Sequence, residues 1–364
     1  MSFIIFVIIL AVLVLVHELG HFLIAKKSKI KVTEFGIGFP PKIWGKQKGE
    51  TLYSVNAIPF GGFVKIFGED PNEESIDGPE KERSFVHKPR YIQAAVLIGG
   101  VLFNALFAWL LITLGYMIGL PTPVDSANPG AVVNPHVVVT TVAPDSPAFK
   151  SGIKAGDVIL SASSGKYVIK EVSPQIISNF IEAHGRDEIT VDINRGKEML
   201  SARVKAEEGI VPGKIAIGVR MEEIGIMRLP IHKAIWEGLK TTANTTWQTA
   251  TGLIGFIGSA FVGKGDLSQV TGPVGIVGLV GDVSKLGFIY LLSFTAIISI
   301  NLAVINLLPF PALDGGRLLF LLIEAIRRKS LSPKVANTLN AVGFVILILL
   351  MVVVTFHDII KLWR

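Results

Sequence analysis

Apolar residues in this chain run together in long blocks instead of alternating or recurring at one helical face. Four blocks, Phe3–Ala25, Ala94–Leu120, Gly287–Leu308 and about Leu339–Phe356, reach the roughly 20 mostly apolar residues that a helix needs to cross a bilayer. Phe3–Val16 alone would pass for the core of a signal peptide, but no small-x-small cleavage site follows it and the run continues through Phe22-Leu23-Ile24-Ala25, so a retained helix is expected. Ala250–Gly263 and Val270–Gly281 are shorter and glycine-rich, which suits re-entrant or interfacial segments. Ile231–Thr249 sets Ile235, Trp236, Leu239 and Trp247 among polar residues, the pattern of an amphipathic helix on a membrane or of an ordinary packed one.

Composition agrees with the pattern. Of 364 residues 50% are hydrophobic and 18% charged, against about 25% charged in soluble domains, which excludes an ordinary soluble enzyme and a disordered chain. Cysteine is absent, and with it disulfides, thiolate metal sites and cysteine nucleophiles. Charge is informative by location. Residues 26–93 carry 12 basic and 9 acidic side chains, residues 309–338 carry 5 and 2, and the long stretch 121–286 carries 16 and 16. Short basic connections stay cytoplasmic, so 26–93 and 309–338 are expected inside and 121–286 outside. No clustered basic face suggests nucleic acid as a partner.

The outer stretch holds one readable domain, about 124–223. Val137–Thr141, Val158–Ser161 and Ile189–Ile193 read as strands and Pro174–Ala183 as a helix, a small α+β module. Val142–Ile159 resembles the opening of bacterial PDZ domains, which bind peptides by adding a strand to a sheet edge. The usual Ile-Asn-Gly that follows is replaced by Ser161-Ala162-Ser163-Ser164-Gly165.

Chemistry enters inside the first block, at His17-Glu18-Leu19-Gly20-His21. Histidines four apart share a helix face and can reach one metal ion, and the adjacent glutamate can act as general base towards water. Ionisable groups within a bilayer cost several kcal/mol and mark a functional site by default. A catalytic zinc site usually takes three protein ligands. Without cysteine, the third is His, Asp or Glu, and the remaining histidines lie far from the required side and depth. Asp314 follows the third block within Asn306-Leu307-Leu308-Pro309-Phe310-Pro311-Ala312-Leu313-Asp314-Gly315-Gly316-Arg317. It reads either as that ligand or as a cap for a helix over Arg317–Arg328.

HExxH in the first span together with NxxPxPxLDG after a later one resembles the site-2 protease family of intramembrane zinc metalloproteases, and the outer PDZ-like segment resembles its RseP-like bacterial branch. The resemblance implies Zn²⁺ held by His17, His21 and Asp314, with Glu18 as catalytic base and Asn306 holding substrate or the developing oxyanion. Phe35-Gly36-Ile37-Gly38-Phe39 and Ile58–Lys65 match the stretch implied to form a membrane-associated β-hairpin, with Gly61, Gly62 and Phe63 against substrate. Asn104 also matches the family, and its expected role is helix packing.

The expected fold is therefore a polytopic α-helical membrane protein with about four transmembrane helices, a membrane-associated β-hairpin region and one inserted extracytoplasmic α+β PDZ domain. Residues 1–120 form the N-terminal membrane half, with its spans at about 3–25 and 94–120 and the hairpin loop at 26–93. Residues 124–223 form the PDZ domain and 231–285 an amphipathic, interfacial segment. Residues 286–364 form the C-terminal membrane half, with spans at about 287–308 and 339–356. The expected activity is hydrolysis of peptide bonds in transmembrane segments of single-span proteins, such as anti-sigma factors or remnant signal peptides. The setting is the inner (cytoplasmic) membrane, with the active site towards the cytoplasm. Partners are the lipid bilayer, those substrates and a peptide ligand of the PDZ domain. Two rivals are a membrane PDZ scaffold or zinc-handling protein with a structural metal site, and another membrane zinc protease taking Glu324 as third ligand.

Overall fold

The computed structural model describes residues 1–70, 73–124, 132–196, 198–211, 213–263, 270–329 and 331–362. In chain order the elements are α1 (Ser2–Lys27), β1 (Val32–Lys48), β2 (Thr51–Ile66), α2 (Glu73–Asp77), α3 (Arg90–Ile118), β3 (Leu120–Pro123), β4 (Val132–Val142), α4 (Pro147–Lys150), β5 (Val158–Ser164), β6 (Tyr167–Ile169), α5 (Pro174–His184), β7 (Glu188–Arg195), β8 (Glu198–Lys205), β9 (Glu207–Val211), β10 (Lys214–Ala216), β11 (Val219–Met227), α6 (Ile231–Phe261), α7 (Pro273–Leu286), α8 (Phe288–Asn306), α9 (Asp314–Arg327) and α10 (Pro333–Leu362). They divide into two compact units: Met1–Leu114 with His232–Arg364, and Gly115–Ile231.

In the first unit four helices among the described residues are long and apolar enough to cross a membrane: Ser2–Lys27, Arg90–Ile118, Phe288–Asn306 and Lys334–Ile360. Helix α1 buries Ile9, Leu13, His17, Gly20, His21 and Ala25, one stripe at three- and four-residue spacing, and leaves Phe3, Ile4, Ile8 and Leu23 exposed. Small residues let its backbone touch α3, as membrane helices pack without a hydrophobic drive between them. A methyl on Gly20 would stand 2.2 Å from the Gly99 carbonyl oxygen. Outward residues of α10, among them Val345, Leu349, Val352 and Phe356, are exposed, as a lipid-facing surface would be.

Strands β1 and β2 form a bent ribbon with repeated register shifts, in which Glu34–Ile37 pairs with Leu52–Val55 on one side and with Gly62–Lys65 on the other. The strand at 62–65 therefore pairs on one side only among the described residues, and its other edge offers free backbone groups.

The elements after residue 230 depart from expectation. The amphipathic segment and the glycine-rich run after it are one 31-residue helix, α6. No proline interrupts it, and an isolated glycine inside a helix costs only about 1 kcal/mol, so Gly252, Gly255 and Gly258 weaken it without ending it. The run at 270–281 becomes α7, which starts at Pro273, and Asp358 of α10 accepts a hydrogen bond from Gly275 N at 2.8 Å. The last span is longer than the apolar block, since Asp358 is buried at 4% exposure and the helix continues past it.

The second unit is a sheet of order β3-β11-β4-β5-β7-β8, with β6 paired to β5 and a separate β9–β10 ribbon. Alternate residues Val137 and Val139 of β4 and Ile189, Val191 and Ile193 of β7 point into one core, following the two-residue period of strands. Helix α5 covers it with Ile177, Phe180 and Ile181. Both helices of this unit start as capping rules dictate: Ser146 and Ser173 accept hydrogen bonds from Phe149 N and Ile176 N, each with proline next in line.

The wholly buried Asp157 accepts Arg195 Nε and Nη2 at 2.7 Å each and Lys154 N at 2.8 Å. Charge-assisted hydrogen bonds contribute about 1.5–3 kcal/mol each. Asp157→Ala is therefore expected to destabilise this unit by about 2 kcal/mol or more, speeding amide exchange in β5 and β7 by about 30-fold. Unchanged protection in hydrogen-exchange mass spectrometry would remove the pair from any stabilising role.

Candidate metal centre

Helix α1 carries His17, Glu18 and His21 in its C-terminal half, and α9 brings Asp314 to them as its first helical residue. The approach depends on how the chain turns between α8 and α9. Ala312 takes φ 74°, and its N–H donates to Asn340 Oδ1 at 3.2 Å. The following turn folds tightly over Leu307–Pro311, where methyls on Gly315 and Gly316 would stand 2.2 Å from the carbonyl oxygens of Leu308 and Phe310. Asp314 is inside the helix instead of ahead of it, and the N-cap position belongs to Leu313. Of the two readings of Asp314, capping does not describe its contacts.

Nε2 of His17 lies 3.1 Å from Asp314 Oδ2, Nε2 of His21 lies 3.4 Å from the same oxygen, and the two nitrogens are 3.1 Å apart. These three are the group of His, Asp and Glu side chains among the described residues able to hold one metal ion. Tetrahedral zinc with bonds of about 2.0–2.1 Å spaces its ligand atoms about 3.3 Å apart, which this triangle matches. The donor chemistry fits as well. His21 Nδ1 donates to the Val96 carbonyl oxygen at 2.8 Å; a carbonyl only accepts, so that nitrogen carries the proton and Nε2 of the neutral ring presents a lone pair. The His21 lone pair and a carboxylate oxygen meeting in a buried site suit a cation beside them.

The triangle floors a cavity of about 380 Å³ whose wall includes Val14, Glu18, Phe63, Glu69, Asn104 and Asn306. Glu18 is half-buried there. Asn306 ends α8 and Phe63 belongs to the one-sided strand of the ribbon. Gly61 and Gly62 are set back: a side chain at Gly61 would meet Val14 at 3.0 Å, and Gly62 pairs with Ile37. Glu324 lies in the wall of another cavity and accepts Leu331 N, so it is not among the metal-facing groups.

Three features escaped the sequence reading. Arg317 pairs with Glu69 and, at 3.3 Å, with Asp70, and burial pushes the Glu69 carboxyl up while the Arg317 guanidinium works against it. Gly100 lies directly under both imidazoles, where a methyl would sit 2.4 Å from His21 Nε2 and 2.6 Å from His17 Cε1. Asn104 is wholly buried and packs α3 through its main chain, which accepts Ser299 Oγ at 2.8 Å, but its side-chain amide also lies 3.3 Å from His17 Nδ1. The only sequence signal for Gly100 was its position in an apolar helix, and Asn104 was marked by the family resemblance as a packing residue, since pairing between helices is not written in local spacing.

Membrane helices around a buried His–His–Asp triangle define a membrane-embedded metallopeptidase. The chain belongs to peptidase family M50, the site-2 proteases, whose family model matches residues 5–350. It is similar to the zinc metalloprotease RasP of Geobacillus kaustophilus, 31% identical with 99% of this chain and 98% of the relative covered. It is also similar to a protein of Clostridium perfringens whose name carries the words zinc metalloprotease, 36% identical over 96% of this chain and 95% of that one. The enzyme is accordingly a zinc metalloprotease of the membrane, with Zn²⁺ as its metal.

Proposed function

We propose that this protease hydrolyses peptide bonds within the transmembrane segments of single-span membrane proteins, with His17, His21 and Asp314 holding the zinc and Glu18 as its general base. The observation that carries this reading is the meeting of three ligand atoms within 3.4 Å beside Glu18, on a helix apolar enough to span a bilayer. Zinc there supplies Lewis acidity, acidifying water towards neutrality and polarising a carbonyl. Glu18 takes the proton from the attacking water and returns it to the leaving amide nitrogen. The Asn306 side-chain amide donates to the carbonyl oxygen as charge develops on it.

A helical substrate has its carbonyls tied up in internal hydrogen bonds and must unwind before attack. The free edge at Gly62–Lys65 offers replacement partners to the unwound strand, with Gly61 keeping that edge close to Val14 and Phe63 forming a side-chain wall. His21 stands six residues before the end of α1, about 9 Å along a helix, which together with the short basic connections supports a reaction near the cytoplasmic face.

The unit at 115–231 reads as a PDZ domain on the outer side of the inner membrane, supported by its antiparallel sheet, its capped helix α5 and the resemblance of Val142–Ile159. There it excludes substrates with bulky outer domains or holds a trimmed peptide end. Substrates of this class are single-span proteins already cut once, such as anti-sigma factors, and remnant signal peptides.

The test is a tagged single-span reporter with a shortened outer domain, incubated with purified protease in proteoliposomes. Cleavage is expected to stop with 1,10-phenanthroline and return with zinc, and product masses should place the cut inside the apolar segment. A cut outside that segment would sink the intramembrane reading, and cleavage indifferent to the chelator would sink the proposed metal centre.

A further inference from the structure

A histidine that gives its Nε2 lone pair to a metal keeps its proton on Nδ1, and that N–H must find an acceptor if the ring is to stay in one tautomer and one orientation. For His21 the acceptor is main chain, the Val96 carbonyl oxygen of α3 at 2.8 Å. For His17 the group facing Nδ1 is the side-chain amide of Asn104, eight residues further along the same helix, with Nδ2 placed at 3.3 Å from the ring nitrogen.

That amide has two orientations related by a half-turn. With Nδ2 towards the ring, the amide donates to Nδ1, the ring proton moves to Nε2, and His17 cannot ligate through Nε2. In that orientation Asn104 Oδ1 is also left buried without a partner, a cost of about 1–3 kcal/mol. With Oδ1 towards the ring, the oxygen accepts the Nδ1–H, Nδ2 takes the place that Oδ1 leaves, and the Nε2 lone pair is free to meet Asp314 Oδ2 and His21 Nε2. Ser299 Oγ holds the Asn104 main chain from α8 at 2.8 Å, so only the side-chain amide needs to turn.

We propose that Asn104 is a positioning residue for the zinc: its side-chain oxygen holds His17 in the ligating tautomer, as the Val96 carbonyl does for His21. Helix α3 thereby orients both histidines while contributing no ligand. The inference rests on the ligand set proposed above.

The experiment measures the zinc dissociation constant of the purified full chain in detergent by competition with a chromogenic chelator, with thermal melting recorded alongside. Asn104→Leu removes the acceptor while keeping bulk, and is expected to weaken zinc binding by about 10–100-fold. Asn104→Ala, which fits without crowding, should show the same loss. Asn104→Asp keeps an acceptor at the same place and should hold zinc at least as tightly as wild type. Ser299→Ala, which removes only the main-chain tie, should leave the constant unchanged.

A residue that merely packs would show the reverse order, since an apolar side chain is cheap in this helix and a buried carboxylate is expensive. Zinc held as tightly by Asn104→Leu and Asn104→Ala as by wild type would overturn the inference, as would loss in Asn104→Asp alone. A wild-type chain that binds no zinc would overturn the ligand set, and this inference with it. That outcome is distinct from one in which wild type binds and the Asn104 variants do too.

Discussion

Gly100→Ala is expected to strip the protease of zinc and of activity together while leaving its helices intact. The added methyl would stand 2.4 Å from His21 Nε2 and 2.6–2.7 Å from Cε1 and Nε2 of His17, where no carbon sits at ordinary van der Waals distance. Its neighbours have little room to give. Each ring is held from behind by α3, through Val96 and Asn104, and α1 can back away only by giving up the close backbone contact at Gly20 and Gly99. The methyl also intrudes on the face where the ligand atoms converge. Zinc affinity should fall by at least about 100-fold, the upper end of what disturbing a metal's surroundings costs. Circular dichroism should report an unchanged helix content, since alanine is the better helix former. Gly255→Ala on α6 is the matched control, as a side chain there meets nothing within 4 Å. Wild-type zinc content in Gly100→Ala would mean that the two helices separate more easily than their packing implies.

Glu18→Gln is expected to abolish reporter cleavage with zinc still bound. Glutamine keeps the length and volume of the side chain and loses the ability to take a proton, so the loss in turnover should be about 100-fold or more, the usual scale of general base catalysis. Glu18 is not in the ligand triangle, which is why its replacement should leave metal content at the wild-type level. The combination separates it from His17, His21 and Asp314, whose replacement is expected to remove metal and activity at once. Cleavage by Glu18→Gln at the wild-type rate would assign the base elsewhere on the cavity wall, where Glu69 is the other carboxylate.

The two predictions differ in how visible their residues were beforehand. Glu18 announces itself, because a glutamate between two histidines inside an apolar block has few other reasons to be there. Gly100 does not, because a glycine in a membrane helix has many. Asp314 stands between them: its motif marked it as ligand or cap, and the turn over Gly315 and Gly316 brings it to the start of α9, with Oδ2 within 3.4 Å of both imidazoles. The segment 231–285 shows the opposite effect. Its composition suggested separate short pieces, yet α6 runs through its glycines, since nothing in the local sequence stops a helix whose other residues favour it.

What the sequence determined by itself were the properties that follow from local composition and spacing. These are four helices long and apolar enough to span a bilayer, because length and apolarity are local, and the pair His17 and His21 with Glu18, because a helix repeats its face every three to four residues. The short strands of the 115–231 unit are legible for the same reason, as alternation is local. What only the tertiary structure decided was everything that depends on one helix meeting another: the 3.1–3.4 Å triangle with Asp314, the close pass of Gly99 against Gly20 and of Gly100 beneath the histidines, and Asn104 beside His17. Residues from about 80 to almost 300 positions apart become neighbours there through packing of small side chains, and packing is a relation between two surfaces that neither stretch of sequence contains alone.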